Sequence, residues 1–318
     1  MLHQLVSSLR KGGKDAWIVY YGDSPHTIPS DYQGYEIAMS EDVEDNGHNV
    51  EVYHEGIFQN IDKNRVTQKF LWWISVDNFY RCAKPYLSIK DLFRWKPRFA
   101  MTEGAKLLLR RRPKEHKLSI KMLMELNATC GYQAEYIQHH LIKLGLHEMV
   151  ALKDFINTIF RDAPMSDRRE DIVVYNPVKG MEFTKRLIAM SPDLKWVPLS
   201  NMTRDQLAAQ IKKSKIYVDF GEHPGKDRLP RECAMSGCCI ITGKKGSAAF
   251  FEDVPIPEKY KFTQRKKDVP RIVDMIRQTI SEYDTAVNDF EYYRRMISNE
   301  KSDFERQVTD LFSGIYDN

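Results

Sequence analysis

Between residues 172 and 242, short apolar runs alternate with stretches of helical spacing, and this alternation constrains the fold more than any other feature of the sequence. The runs are Ile172–Tyr175, Leu194–Pro198, Ile216–Phe220 and Cys238–Thr242. The spacing predicts helices over Gly180–Met190, from Thr203 to Lys213, and from Pro230 to Gly237. Thr203-x-x-Gln206 has the form of a capping box, in which side chain and backbone satisfy each other's free groups at a helix start. Repeated strand–loop–helix order gives a mostly parallel sheet, because parallel neighbours need a long crossover that a helix supplies.

The first half shows the same theme less cleanly. Leu2–Leu9 has helical spacing and stops at Gly12-Gly13. Ala16–Tyr21, Tyr35–Met39, Val50–Tyr53 and Phe70–Val76 are strand candidates, and Trp72-Trp73, inside an apolar run, are assigned to the core. Ala134–Leu144 and Leu152–Phe160 read as helices. Arg161–Asp171 is charged, contains Pro and Ser, and has no apolar face, so it reads as a linker. The expected organisation is an N-terminal α/β domain over residues 1–160, a linker over 161–171 and a second α/β domain over 172–265. Helices over 266–318 are expected to brace the two domains.

With 318 residues the chain can bury two cores, and 42% hydrophobic with 29% charged residues excludes a disordered or fibrous protein. The longest apolar run, Phe70–Val76, is far short of the roughly 20 residues that cross a bilayer. The start, MLHQLVSSLRKGGKD, does not read as a secretory signal. Cys82, Cys130, Cys233, Cys238 and Cys239 include no Cys-x-x-Cys spacing, and no His-x-x-x-His pair is present. Reduced, cytoplasmic usage with no structural metal is therefore expected.

Charge is uneven. Residues 1–83 carry seven Lys/Arg against twelve acids, whereas residues 84–121 carry twelve against three. That basic block interleaves Phe93, Trp95 and Phe99. It can meet an anionic membrane surface on the inner face of the cell membrane, serve as a groove for an anionic acceptor, or form a solvated face. Nucleic acid is not expected, since the aromatics lack the spacing of a stacking platform.

The segment that carries chemistry is Ile216–Phe251, IYVDFGEHPGKDRLPRECAMSGCCIITGKKGSAAFF. It reads as strand, basic loop, helix with Glu232 in its first turn, strand, and a second glycine loop. Lys226, Arg228 and Arg231 can neutralise a diphosphate, and amides around Gly246-Ser247 can donate to the same oxygens. Glu232 can accept both hydroxyls of a ribose. His223 and Asp227 are candidates for donor phosphate or sugar, or a turn residue and an ion-pair partner; Gly225 lies between them. Asp219 reads as a structural acid at the sheet edge. Asp77, just beyond an apolar strand, is a candidate general base or a cap of the next turn, and Asp23 and His26 are weaker candidates of the same kind.

Residues 171–262 resemble the donor-binding domain of GT-B-fold glycosyltransferases that build bacterial surface polysaccharides. The resemblance rests on Glu232-Cys233-Ala234-Met235-Ser236-Gly237-Cys238-Cys239-Ile240-Ile241, which follows the family's E-A-M-A-x-G-x-P-V-I with Cys in place of Pro. It also rests on Tyr175-Asn176-Pro177-Val178-Lys179-Gly180 and on Lys244–Ser247. It implies two Rossmann-like domains facing across a cleft, with Asn176, Lys179, Gly180, Gly246 and Ser247 at the donor, and Val197–Met202 at the nucleobase. Two departures stand out. Pro224 occupies the position of the second Glu of retaining members, and the chain opens on the helix that follows the family's first strand and glycine-rich loop. The N-terminal domain is thus expected to lack its first strand.

The implied activity moves a sugar from a nucleoside-diphosphate donor to a hydroxyl of a glycan or lipid-linked acceptor. Asp77, Arg231 and Lys226 are expected at the chemistry, with no cofactor and no metal, as no strand-terminal Asp-x-Asp is present. The alternatives are a sugar-nucleotide isomerase or epimerase of the same fold, and a non-catalytic partner in a polysaccharide assembly complex.

Overall fold

A computed structural model describes residues 1–21, 27–29, 32–40, 44–83, 87, 89–95, 101, 120–126, 128–162, 165 and 168–313. Asp23, His26 and residues 84–86, 88, 96–100 and 102–119 of the basic block lie outside the described residues. The chain divides into two compact units: residues 1–133, 140–154 and 301–318 form the first, and residues 134–139 and 155–300 the second.

In the first unit, β1 (Val50–His54), β2 (Gln68–Trp73), β3 (Ala128–Tyr132) and β4 (Met149–Ala151) pair in that order, all parallel. The apolar run expected as a strand to Val76 ends at Trp73, and Val76 opens the helix Val76–Ala83 instead. Trp72 and Trp73 are fully buried, and the Trp72 indole N–H donates to the Leu152 carbonyl at 2.9 Å. β3 and β4 were not anticipated, because ATCGY is diluted by Thr and Gly and MVA is only three residues long. Conversely, Ala16–Tyr21 and Tyr35–Met39 share only an isolated bridge between Ile18 and Met39. With Trp17 and Tyr21 half exposed, that run packs too little surface to extend as a strand.

Glu55, just after β1, is buried and accepts from the Ile74 N–H and the Asn78 amide, both at 2.9 Å. Burial pushes its carboxyl up to about 7 despite these bonds. A folded-state value raised above the unfolded one contributes stability that is complete below pH 4.5 and is lost as pH rises through 7. Glu55→Gln is therefore expected to stabilise the protein relative to wild type by roughly 3 kcal/mol more at pH 8.5 than at pH 4. Urea unfolding at the two pH values measures this, and a pH-independent difference would refute it.

In the second unit the strands are β5 (Glu170–Tyr175), β6 (Lys195–Pro198), β7 (Ser214–Asp219), β8 (Cys239–Gly243) and β9 (Lys261–Phe262). They run parallel in the order β6-β5-β7-β8-β9. The helix Arg204–Lys212 starts at the expected capping box, with the Gln206 N–H donating to Thr203 Oγ1. Leu152–Phe160, expected as a helix, is helical only over Thr158–Arg161. Ile156 and Phe160 are fully buried in the second unit's core, so residues 155–160 group with this unit and not with the N-terminal half. In the long helix Glu291–Ser313, residues to Glu300 belong to the second unit, and those from Lys301 belong to the first. No helix among the described residues is long and apolar enough to cross a membrane.

The second sheet has a reversal. From β5 the chain moves outward to β6, then returns to place β7 on the other side of β5. At such a switch point the loops leaving neighbouring strands diverge, and a crevice opens beyond their carboxyl ends, where α/β proteins bind ligands.

Candidate functional site

The loops after β5, β7 and β8 carry most of the candidate donor residues, and Arg228 and Glu232 lie on the helix that follows the loop after β7. After β5, the Asn176 carboxamide accepts from the Val178 N–H at 3.0 Å and tightens the turn that presents Lys179. Gly180 follows at φ 67°, immediately before the helix Met181–Met190. A Cβ at Gly180 would overlap the Phe220 carbonyl and the Gly221 nitrogen, so only glycine lets the two loops at the switch point touch.

β7 ends at Asp219, which is buried and accepts from the Tyr217 hydroxyl and the Gly221 N–H, each at 2.7 Å. At the carboxyl end of the central strand, and not at a sheet edge, it fastens the turn that follows and also belongs to a charged chain. His223 is 1% exposed. Its Nε2 lies 3.7 Å from Asp219 and its Nδ1 lies 3.5 Å from Asp227, so the ring is held by charge rather than by hydrogen bonds. Burial pulls the imidazole down, but Asp219 and then Asp227 outweigh it and raise its pKa. Burial likewise pushes Asp219 up, but His223, Tyr217 and the Gly221 N–H hold it below the usual range. Asp227 also receives Lys179 Nζ at 2.7 Å. Lys179, Asp227, His223 and Asp219 thus alternate in sign across two loops.

The loop after β8 closes on this group. Gly246 sits at φ 61°, and the Ser247 N–H donates to the His223 carbonyl at 2.8 Å while its hydroxyl donates to the Gly225 carbonyl at 2.7 Å. His223, Gly225, Gly246 and Ser247 therefore form one built corner.

The following helix runs Arg228–Met235, two residues earlier than Pro230 suggested. Pro230 fits because the first-turn N–H groups of a helix have no partner within it. Glu232 consequently lies in the second turn and not the first, with its carboxylate 2% exposed and 3.3 Å from Arg204. Burial raises its pKa, opposed chiefly by Arg204 and then by Arg228 and Arg231.

Arg231 and Lys226 have a different setting from the one their sequence suggested. Arg231 is 1% exposed, donates to Glu300 at 2.8 Å, and also donates to the carbonyls of Asp227 and Lys226. Lys226 Nζ lies 3.0 Å from the other Glu300 oxygen, off the hydrogen-bond axis. Both cations thus anchor the loop to the long C-terminal helix. Asp77, in the first unit, lies in the first turn of the helix Val76–Ala83, is buried, and accepts from the Trp95 indole at 3.0 Å.

Sequence reasoning missed Arg204 and Glu300. Arg204 could have been placed, because the capping box makes it the first residue of its helix. Glu300 carried no local signal, being 69 residues from Arg231. Among the described residues, no group of three or more His, Cys, Asp or Glu is placed to hold a metal.

The protein has the α/β fold, with parallel sheets, of the GT-B glycosyltransferases. No protein-family model matches the sequence, and no curated protein matches it. Among solved structures it is similar to a sucrose-phosphate synthase from Thermosynechococcus elongatus, with a TM-score of 0.60 at 10% identity over 98% of this chain and 92% of that one. It is similar to a glycosyltransferase from Rickettsia africae, with a TM-score of 0.56 at 13% identity over 100% and 94%. TarM matches with a TM-score of 0.54 at 12% identity over 87% of this chain, which spans 56% of the length of TarM. At these identities the likeness is one of fold.

Proposed function

We propose that this protein is a nucleotide-sugar-dependent glycosyltransferase whose second unit binds the nucleoside diphosphate of its donor. The observation that carries the reading is the meeting, at the switch point between β5 and β7, of the Lys179-Gly180 turn with the His223–Asp227 loop, with Glu232 on the helix that follows. Solved structures of similar fold point the same way: one of TarM from S. aureus holds UDP and α-GlcNAc-glycerol.

In this reading Glu232 accepts the ribose hydroxyls. Lys179, Arg228 and the amides of the Gly180 and Gly246-Ser247 corners meet the diphosphate, while Lys226 and Arg231 set the charge and position of their loop. The acceptor hydroxyl attacks the anomeric carbon of the sugar as the bond from that carbon to the diphosphate oxygen breaks. Negative charge grows on the departing diphosphate, so cations and N–H groups fixed around it act mainly on turnover. No metal is invoked for this role. We assign Asp77 no proton transfer, since its Oδ1 already accepts from Trp95. The acceptor is read as a glycan or lipid-linked hydroxyl, reached with the help of residues 84–121 at an anionic membrane.

Glu232→Ala is expected to weaken nucleoside diphosphate binding by about 1–3 kcal/mol, as for a lost hydrogen bond to a charged group. Calorimetry with UDP, GDP, ADP, CDP and TDP tests this, and unchanged affinity in a folded mutant would remove Glu232 from the site. Release of the diphosphate only when a glycan acceptor is added would establish transfer.

A further inference from the structure

Glu232 alone is poorly suited to hold a ribose. A vicinal diol is gripped by an ionised carboxylate with acceptor capacity to spare, whereas a carboxylate that is 2% exposed is driven towards its protonated form. The structure supplies a partner from a different helix. Arg204, the first residue of the helix Arg204–Lys212, places Nη1 3.3 Å from Glu232 Oε1. Its backbone is fixed on both sides. Asn201 at φ 55° turns the chain out of β6, and the reciprocal Thr203–Gln206 bonds lock the helix start. Glu232 Oε2 accepts no hydrogen bond from a described residue. The pair therefore commits one oxygen and leaves the other.

We propose that Arg204 is a positioning residue for ribose recognition: it pins Oε1 of Glu232 and keeps the side chain a carboxylate, leaving Oε2 to a vicinal diol. This rests on the nucleotide-binding reading above. The other charged groups facing Glu232 are Arg228 and Arg231, both on its own helix, and Arg231 is already engaged by Glu300. Arg204 comes from outside that helix, so it can set the angle of the carboxylate as well as its charge. Its side chain is 37% exposed, so replacing it opens no cavity in the core.

The test separates the pair from the reading it rests on. Carbon-13 NMR of glutamate-labelled protein, with Glu232→Gln to assign the resonance, follows the Glu232 carboxyl through pH. Arg204→Met is expected to raise its titration midpoint by at least one pH unit, and Arg204→Lys to restore most of that shift. In parallel, UDP and 2′-deoxy-UDP binding are measured from pH 6 to pH 9. Arg204→Met is expected to weaken UDP at least tenfold at pH 7, with the loss shrinking towards pH 9 as Glu232 ionises, and to leave inorganic pyrophosphate unaffected. The preference for UDP over its 2′-deoxy analogue should shrink in the same variant. An unchanged Glu232 midpoint in Arg204→Met, or a loss of UDP affinity equal at every pH, would overturn the proposal. If wild type binds none of UDP, GDP, ADP, CDP or TDP, the nucleotide reading falls and the ribose role with it, while the NMR titration still decides whether the two side chains are coupled.

Discussion

Glu300→Ala is expected to lower the free energy of unfolding by about 3–5 kcal/mol, the loss typical of stranding buried charge. Glu300 is nearly inaccessible, and its two oxygens face Arg231 Nη1 at 2.8 Å and Lys226 Nζ at 3.0 Å. Side-chain exposure is 1% for Arg231 and 7% for Lys226, so neither cation has water to fall back on when the carboxylate is removed. The whole loop should feel the loss, because Arg231 also holds the Lys226 and Asp227 carbonyls. Urea denaturation measures it. Arg231→Met in the Glu300→Ala background should recover part of the stability, since replacing both charges by apolar groups removes the uncompensated ion. A loss below about 1 kcal/mol, the range of exposed pairs, would show that the triad is solvated. The same variants bear on mechanism: if Lys226 and Arg231 act by holding the loop, Glu300→Ala should depress turnover although it is itself a carboxylate.

Gly246→Ala is expected to be equally damaging, by about 3–5 kcal/mol, for a steric reason. At φ 61° and ψ −138° the residue lies where a side chain is strained, and its Cβ would overlap the His223 carbonyl. That carbonyl accepts the Ser247 N–H, and Ser247 in turn bonds the Gly225 carbonyl. The corner cannot yield a little; it must open, breaking both bonds and exposing a histidine buried between two carboxylates. Thermal unfolding should report a fall of many degrees. Any folded fraction should bind nucleoside diphosphate less tightly than wild type. Near-native stability would mean that the loop after β8 closes in some other way.

Much of the second unit was legible in the chain. Every strand from β5 to β8 begins and ends within two residues of its apolar run, and in β5, β7 and β8 burial on both faces is what leaves so strong a local signature. The Thr203–Gln206 box forms as written, since its two bonds lie within four residues. The glycines flanking the loops and the acid on the following helix were also visible, being demands of backbone geometry and charge that local sequence expresses.

The first unit was less legible for the same physical reason. AWIVYY is apolar enough for a strand but among the described residues has one isolated bridge, whereas ATCGY and MVA look weak and are paired within the sheet. Strand formation is decided by what lies alongside, and that partner is remote in sequence. Only the tertiary structure decided the order β6-β5-β7-β8-β9, and so which loops share a switch point. It alone turned Lys226 and Arg231 towards Glu300 and set His223 between Asp219 and Asp227. It also brought Arg204 to Glu232. The sequence by itself determined the strands β5 to β8, the helices between them and which residues carry charge, but not the two-residue strand β9. Where those charges meet depended on the packing of elements tens of residues apart, because a Coulomb contact is set by distance in space and no periodicity along the chain records it.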